Sequence, residues 1–307
     1  MRNPNTFAGN PLDRASERRT DPAWLKAQLD APTSGIVPFV GDRPLIRLGE
    51  DGATAAFLPP PLLDEPLGAP VDAARCLFLG LMPDGAPRFA LRMPDHVRLE
   101  DDPLIAAQGK AIDLRSIAPD LAPADAAMLA QAKALLAWHE THRHCARCGA
   151  RSHRAEGGYK RVCEVCAGEH FPRTDPVVIM LVTDGDQCML GRGAAWEPGR
   201  FSTLAGFVEP GETFEEACAR EVFEEARIRV GDVRYVFSQP WPWPMSIMVG
   251  LHATAETREI TVDPAELAEA RWFSRAEIEA GLKGEAPFRL PPPLAIAHQL
   301  MRAWLDG

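Results

Sequence analysis

Four cysteines in two closely spaced pairs set the strongest constraint on how this chain folds. Cys145 and Cys148 form the first pair, and after fourteen residues Cys163 and Cys166 form the second. Two knuckles of this kind each supply two thiolates to one tetrahedral zinc ion. The segment around them is too short and too poor in large apolar residues to hold a core of its own. The spacing therefore predicts a zinc ribbon with one structural Zn2+ per chain, since a closed four-thiolate site has no open position for substrate.

Composition and charge narrow the class of protein. The chain has 307 residues, of which 46% are hydrophobic and 25% charged, as is typical of a globular protein with more than one core. Its formal net charge of −10 argues against gripping long nucleic acid mainly by phosphate neutralisation. The start of the chain lacks an apolar signal segment, and the longest apolar run, 177–182, is much shorter than a membrane helix. We therefore expect a cytoplasmic protein without a membrane anchor.

Patterns along the chain predict four segments. Residues 1–23 are polar and form an irregular N-terminal arm. Residues 24–140 contain the apolar runs RPLIRL, ATAAFL, ARCLFLGLM and APRFALRM, which are typical of strands, and then a helix with Pro123 near its start. The zinc ribbon spans 141–172. In the last segment, 173–307, the strands PVVIMLVTD and QCMLGRG precede a glutamate-rich helix, further strands and a terminal amphipathic helix.

The stretch at 206–230, GFVEPGETFEEACAREVFEEARIRV, contains seven glutamates. A helix from Thr213 to Arg227 would place three of them within one turn on one face, namely Glu221, Glu224 and Glu225. Like charges at this density are unfavourable unless a cation neutralises them, and carboxylate oxygens suit hard ions such as Mg2+ or Mn2+. We also expect Arg220, beside the cluster, to form a salt bridge with Glu212 in the preceding turn. A solvated acidic helix face is the alternative interpretation.

This stretch resembles the Nudix box, G-x5-E-x7-R-E-U-x-E-E-x-G-U with U apolar. The matching residues are Gly206, Glu212, Arg220, Glu221, Val222, Glu224, Glu225 and Ile228. Arg227 replaces the second glycine, whose expected use is a left-handed helix C-cap, so the departure falls on a helix end and spares the acidic residues. Members of this family hydrolyse a nucleoside diphosphate linked to another moiety by metal-assisted displacement at phosphorus. The non-enzymatic alternative is a zinc-ribbon binding module with an inactive hydrolase domain.

The segment SQPWPWPMS at 238–246 indicates a substrate. Its three prolines lack the backbone N–H groups that a normal central strand needs. Because they alternate with aromatic residues, we expect a stiff segment that presents aromatic side chains as a wall. The segment resembles the SQPWPFPxS signature of the NADH pyrophosphatase (NAD-capped RNA hydrolase) branch, with Trp243 in place of Phe. That branch also carries a zinc ribbon before its Nudix domain. Its members split NAD(H) into nicotinamide mononucleotide and AMP, and bacterial members remove NAD caps from RNA 5′ ends. A broader Nudix hydrolase of ADP-ribose or other dinucleotides is the alternative.

The resemblance implies a set of site residues. The catalytic residues would be Glu221, Glu224, Glu225, Glu266 and Arg220. The ligands of catalytic Mg2+ or Mn2+ would be the Ala205 carbonyl, Glu221, Glu224, Glu225 and Glu266, with either Glu225 or Glu266 as general base. The substrate would be bound by Gln239, Pro240, Trp241, Pro242, Trp243, Pro244, Met245 and Ser246 on the nicotinamide side and by Phe171 and Phe207 around adenine. Ala297 matches a substrate contact that the partner subunit makes in this family, which implies a homodimer.

The implied fold is α+β, with a Nudix α/β/α sandwich built on a mixed sheet, preceded by a zinc ribbon and a smaller N-terminal α/β domain. The implied partners are NAD(H) and NAD-capped RNA. Basic residues exceed acidic ones by three around the ribbon. This excess motivates the hypothesis that Arg151, Arg154 and Arg161 contact the RNA, with a solvated charged face as the alternative.

Overall fold

The structure, a computed structural model, describes residues 3–50 and 52–307. The first two residues of the predicted N-terminal arm lie outside this range. The chain forms two compact units. The N-terminal unit comprises Phe7–Thr174 and Trp241–Met245, and the C-terminal unit comprises the chain up to Thr6, Asp175–Pro240 and Ser246–Gly307. The four-segment division of the sequence stays a prediction. In the described part of the chain, no helix combines the length and hydropathy needed to cross a bilayer.

The N-terminal unit combines two sheets with several helices. Its strands are β1 (Gly35–Val40), β2 (Arg43–Gly49), β3 (Gly52–Ala55), β4 (Leu77–Leu81), β5 (Pro87–Arg92), β6 (Lys110–Ala111), β7 (Ser152–Ala155), β8 (Lys160–Cys163) and β9 (Glu169–His170). Its helices are α1 (Pro22–Leu29), α2 (Asp64–Leu67), α3 (Pro103–Ala106), α4 (Leu114–Ile117) and α5 (Pro123–Thr141). Short 3-10 helices span Pro60–Leu63, Leu99–Asp101, Ala118–Asp120 and Glu156–Gly158.

Two separate sheets organise these strands. The larger has the order β3-β2-β1-β5-β4, with β6 also paired to β2 and a parallel β1–β5 pair. The smaller, β7-β8-β9, is the antiparallel sheet of the ribbon. The four apolar runs predicted as strands overlap β2, β3, β4 and β5. Helix α5 begins at Pro123, where a missing backbone N–H has no effect on helix bonding. The irregular arm is packed into the unit, because Phe7 and Leu12 are buried.

The C-terminal unit contains the predicted hydrolase elements. Its strands are β10 (Asp175–Asp184), β11 (Gln187–Gly193), β12 (Leu204–Phe207), β13 (Val230–Trp241), β14 (Ser246–Ala255) and β15 (Leu267–Ser274). Its helices are α6 (Phe214–Ala226), α7 (Arg275–Lys283) and α8 (Ile296–Leu305). The sheet order is β13-β14-β10-β11-β15, with β12 paired to β10 and a parallel β10–β14 pair. Because β13 lies at the sheet edge, Pro240 is accommodated near its end.

Strand β10 shows why the central run is apolar throughout. Its alternate residues Val178, Met180 and Val182 share a buried cluster with Val222 of α6. The intervening Ile179 and Leu181 share a second cluster with residues of α7 and α8, namely Ile278, Ile296 and Leu300. Both faces of the strand are thus covered by helices, and no polar alternation is required. The predicted α/β/α sandwich with a mixed sheet is confirmed.

Candidate active site

Helix α6 carries the predicted acidic cluster and is capped at both ends by residues next to it in the sequence. Thr213 caps the first turn, accepting a hydrogen bond from the Glu216 backbone N–H at 3.2 Å while the Glu216 carboxylate accepts one from the Thr213 N–H at 2.8 Å. Arg227 forms the C-cap with φ 58°, the left-handed conformation expected at this position. The apolar face of the helix packs on β10, so the helix is fixed relative to the sheet.

Two of the glutamates on α6 are drawn inward. Glu221 is 9% exposed and Glu225 is 5% exposed, unusually low values for carboxylates. One carboxylate oxygen from each of Glu221, Glu225 and Glu266 lies within 4.8 Å of the other two. Burial, together with the nearby Glu221 and Glu266 carboxylates, raises the pKa of Glu225 to about 8. Burial also raises the pKa of Glu221. A hard divalent cation bound by these oxygens would remove the repulsion that the bare cluster suffers, so the donor set fits the implied metal.

Glu266 reaches the cluster through a turn that is bonded to the end of α6. The Asp263 backbone N–H donates to the Glu225 carbonyl oxygen at 3.0 Å, and the Glu266 N–H donates back to the Asp263 carbonyl oxygen at 3.1 Å. The Asp263 carboxylate also accepts the Ala265 N–H at 2.9 Å. Asp263 therefore positions the third carboxylate, a role that its place in the sequence did not suggest.

Arg220 is a positioning residue for this cluster. Its Nε and Nη2 atoms donate to the two carboxylate oxygens of Glu212 at 2.6 and 2.9 Å, which confirms the expected salt bridge. Nη1 donates to Glu221 at 2.8 Å and to Glu224 at 3.0 Å, and Nη2 donates to the Phe207 carbonyl oxygen at 2.9 Å. The hydrogen bonds from Arg220 to Glu212 lower the pKa of Glu212 to about 2. All five N–H donors of the guanidinium are engaged, so Arg220 orients Glu221 and ties the preceding loop to the helix.

Glu224 is placed differently from its neighbours. It lies on the exposed side of α6, and its carboxylate pairs with Arg220. The group of three mutually close carboxylates contains Glu221, Glu225 and Glu266 and does not contain Glu224. Its role as a metal ligand therefore stays a prediction.

Strand β12 brings the backbone close to Glu221. Ala205 pairs with Ile179 of β10 and is exposed. At Gly206, an added Cβ would lie 1.9 Å from the carboxyl carbon of Glu221 and 2.0 and 2.2 Å from its oxygens. A side chain at this position would therefore collide with the Glu221 carboxylate as it is placed here. The Ala205 carbonyl stays a predicted ligand.

The residues predicted to line the nicotinamide side fall into two groups. Gln239 is fully buried, and its side chain donates to the carbonyl oxygens of Thr6 and Leu294 at 3.1 and 2.8 Å and accepts the Ile296 N–H at 2.9 Å. That side chain holds the C-terminal unit together, and a substrate contact through it would break these bonds. Pro242, Met245 and Ser246 are also buried, Pro240 is half-buried and Pro244 is exposed.

Trp241 and Trp243 form a distinct aromatic pair in the N-terminal unit. Their ring centroids lie 4.7 Å apart, and both rings are half-buried. Phe7 meets both rings edge-on, and the guanidinium of Arg115 lies over both. Neither Phe7 nor Arg115 was predicted, because no local motif marks a residue that contacts a segment more than a hundred positions away.

The remaining predicted contacts have different environments. Phe171 is 62% exposed in the N-terminal unit, and Phe207 is 61% exposed in the C-terminal unit, so each offers a ring face to solvent. Ala297 is 2% exposed and belongs to the cluster between the sheet and α8. Its methyl group is thus covered within the chain, and the structure adds no support for a substrate contact there.

The four cysteines converge as the spacing predicts. Their sulfur atoms all lie within 4.8 Å of one another, with Cys145–Cys166 at 3.6 Å and Cys148–Cys163 at 3.5 Å. These separations exceed a disulfide bond and are close to the edge of about 3.8 Å that Zn–S bonds of about 2.3 Å give in a tetrahedron. Backbone N–H groups of Val165 and Cys166 point at the Cys163 sulfur at 3.4 Å each. The donor set fits a structural zinc ion.

The three arginines predicted to contact RNA differ in their exposure. Arg161 is only 6% exposed, and its guanidinium donates to Ser152 and to Nδ1 of His139 on α5. Arg154 is partly buried and donates to the Arg75 carbonyl oxygen at 2.7 Å. Arg151 is exposed. The hypothesis was wrong for Arg161, whose charge is used to attach the ribbon to α5 within the N-terminal unit.

Three family models match successive parts of the chain. The NADH pyrophosphatase-like rudimentary NUDIX domain matches residues 33–138, the NADH pyrophosphatase zinc ribbon domain matches 140–171, and the NUDIX domain matches 173–293. Together they account for the strands of the N-terminal unit, the four cysteines and the glutamate helix.

Whole-chain relatives are also found. The NAD-capped RNA hydrolase NUDT12 of Macaca fascicularis is 39% identical over 344 aligned residues, covering 98% of this chain and 73% of that protein. Its namesake from Homo sapiens is 38% identical with the same coverage. The NAD-capped RNA hydrolase NudC of Mycobacterium bovis (strain BCG / Pasteur 1173P2) is 40% identical over 252 residues, covering 78% of this chain and 79% of that protein.

Proposed function

This chain belongs to the Nudix hydrolase family, and we propose that it hydrolyses the pyrophosphate of NAD(H) to nicotinamide mononucleotide and AMP. The observation that carries the proposal is the convergence of the Glu221, Glu225 and Glu266 carboxylates within 4.8 Å. The NADH pyrophosphatase-like models that match 33–138 and 140–171, and the names of the whole-chain relatives, support NAD(H) as the substrate.

We assign the following roles to the chain's residues. Glu221, Glu225 and Glu266 would hold the catalytic metal, with Glu224 and the Ala205 carbonyl as further ligands. A divalent cation such as Mg2+ or Mn2+, when bound, neutralises these carboxylates and polarises the pyrophosphate. Glu225 or Glu266 takes the proton of a water molecule whose oxygen bonds to phosphorus while the bond from that phosphorus to the bridging oxygen breaks. Arg220 keeps Glu221 in place through its bonds to Glu212 and the helix.

Substrate binding is assigned to aromatic surfaces. Phe171 and Phe207 are proposed to bind the adenine, and their exposed rings support this assignment. Trp241 and Trp243 are proposed to contact the nicotinamide, and their half-buried pair supplies a fixed aromatic surface. The neighbouring residues Gln239, Pro240, Pro242, Pro244, Met245 and Ser246 are proposed to shape the same wall.

We also propose that the chain removes NAD caps from RNA 5′ ends. The cap contains the same pyrophosphate bond, and the whole-chain relatives are named NAD-capped RNA hydrolases. A homodimer is a further proposal, supported by the match of Ala297 to a residue that contacts substrate from the partner subunit in this family. A cytoplasmic location is another, supported by the acidic composition and by the free cysteines. Light scattering of the purified protein and imaging of a tagged chain test them.

Product analysis tests the main proposal. Purified protein is incubated with NADH and either Mg2+ or Mn2+, and nicotinamide mononucleotide and AMP are quantified by chromatography. In the Glu225→Gln variant we expect turnover to fall by about 10²- to 10⁴-fold, the range for loss of a general base. Glu215→Gln is the matched control, because Glu215 lies in the exposed first turn of the same helix.

The outcomes separate the alternatives. Unchanged AMP release in Glu225→Gln would remove the carboxylate cluster from the mechanism. Rapid cleavage of ADP-ribose with no cleavage of NADH would favour the broader Nudix hydrolase. If no dinucleotide is cleaved in the presence of metal, the result would favour the inactive zinc-ribbon binding module.

A further inference from the structure

The Trp241–Trp243 pair is held rigidly from one side. Its ring centroids are 4.7 Å apart with an interplanar angle of 57°. The Phe7 ring meets them edge-on with centroid distances of 6.3 Å to Trp241 and 5.6 Å to Trp243. Phe7 is 2% exposed, so this brace is part of the packed interior. The pair is therefore packed against a buried residue on the side of Phe7.

Arg115 approaches the same pair with a positive charge. Its Cζ atom lies 5.1 Å from the Trp241 ring centroid and 4.7 Å from that of Trp243, both within cation–π range. Arg115 sits on the short helix α4 and is exposed. Asp113, the nearest acidic residue along the chain, accepts the Ser116 N–H at 3.0 Å as the cap of that helix. Within the described ranges, Arg115 has no ion-pair partner.

We propose that Arg115 is a specificity-determining residue that favours the uncharged dihydronicotinamide of NADH over the cationic nicotinamide of NAD+. The inference rests on the proposed function, in which Trp241 and Trp243 contact the nicotinamide. A bare tryptophan pair would favour the oxidised ring, since aromatic faces attract cations. The Arg115 guanidinium already lies over both tryptophan rings, where a cationic nicotinamide would be attracted. It also adds a positive charge that repels the positive charge of NAD+. It therefore reverses the preference that the two rings would have alone.

The expected size of the effect follows from Coulomb's law. For two unit charges assumed to lie about 7 Å apart, with an effective dielectric constant of about 50 for an exposed site, the discrimination amounts to about fivefold. Arg115 is exposed, so we expect its removal to change selectivity without disturbing the fold. The discrimination should also weaken as salt is raised, because an exposed charge is screened.

The test compares kcat/KM for NAD+ with kcat/KM for NADH in the full-length, zinc-loaded protein. In Arg115→Ala, we expect the ratio of NAD+ to NADH to rise about fivefold, through a lower KM for NAD+. Arg115→Lys keeps the charge and should keep the wild-type ratio. The matched control is Arg18→Ala, because Arg18 is an exposed arginine 4.8 Å above the Trp24 ring and away from the Trp241–Trp243 pair. It should leave the ratio unchanged.

The failures of the inference and of the proposed function are distinct. A ratio within twofold of wild type in Arg115→Ala, in a protein that cleaves both substrates, would overturn the inference and leave the proposed function intact. Equal changes in Arg115→Lys and Arg115→Ala would also overturn it, since charge would not be the cause. A wild-type chain that cleaves neither NAD+ nor NADH would overturn the proposed function and the inference together.

Discussion

Gly206 offers the sharpest test of the carboxylate cluster, because a single methyl group placed there collides with Glu221. The Cβ of an alanine would lie 1.9 Å from the Glu221 carboxyl carbon, whereas ordinary contacts begin near 3.4 Å. The carboxylate would have to shift by roughly 1.5 Å. It cannot make that shift and keep its 2.8 Å bond to Arg220, which is itself held by Glu212. A misplacement of about 1 Å at a reacting centre can reduce the rate about 10²-fold, so we expect at least that loss of kcat/KM in Gly206→Ala.

The fold should survive this change. Gly206 does not have a left-handed backbone, so alanine is compatible with its conformation, and displacement of Glu221 relieves repulsion with Glu225 and Glu266. We expect the free energy of unfolding to change by less than about 1 kcal/mol. The control is Gly49→Ala, at a strand end where, among the described residues, an added Cβ meets only the Gly52 carbonyl oxygen at 3.6 Å.

Metal-dependent release of AMP from NADH measures the activity, and thermal unfolding measures the stability. Shortening Glu221 to aspartate should cost less activity in the Gly206→Ala background than in wild type, since the shorter side chain partly avoids the clash. Wild-type kcat/KM in Gly206→Ala would refute the reasoning, because Glu221 could then leave its observed position without consequence.

Three further predictions concern stability and zinc. Burial lowers the pKa of His139 to about 3, so the neutral ring favours the folded state above its ordinary pKa of 6.5, and this stability is lost as the pH falls from 6.5 toward 3. We expect a loss of roughly 4 kcal/mol across that window, seen as a steeper pH dependence of unfolding than in His139→Gln. Arg227→Val should destabilise the protein by about 1 kcal/mol more than Arg227→Gly in chemical denaturation, because a β-branched residue fits a φ of 58° poorly. Cys166→Ser should reduce bound zinc, measured by elemental analysis, from about one ion per chain toward zero and lower the melting temperature; full zinc content in this variant would contradict the four-thiolate site.

The sequence was informative wherever function is encoded locally. The box fixed α6 to within a residue at each end, because Thr213 and Arg227 act as caps through their own backbone and side-chain chemistry. The salt bridge from Arg220 to Glu212 was also predictable, since only eight residues separate the two. The left-handed backbone conformation of Arg227 was predictable as well, because a left-handed C-cap is a property of the helix end.

Long-range packing was beyond the reach of the same patterns. Arg161 looked like one more charge in a basic segment, yet it is buried against His139, which lies 22 positions away. Nothing in MRNPNTF suggests that Phe7 braces Trp241 and Trp243. Such contacts depend on the path of the whole chain, and a hydrophobic or charged residue has the same local pattern whether it meets solvent or a partner.

The residues proposed for catalysis and those proposed for selectivity come from different parts of the chain. The carboxylate cluster is built from α6 and the turn at Asp263, which are bonded to each other inside the C-terminal unit. The tryptophan pair is contacted by Phe7 and Arg115 inside the N-terminal unit. Substitutions at Arg115 should therefore change which dinucleotide is preferred while the Glu221, Glu225 and Glu266 carboxylates keep their geometry. Substitutions at Gly206 should slow every substrate alike.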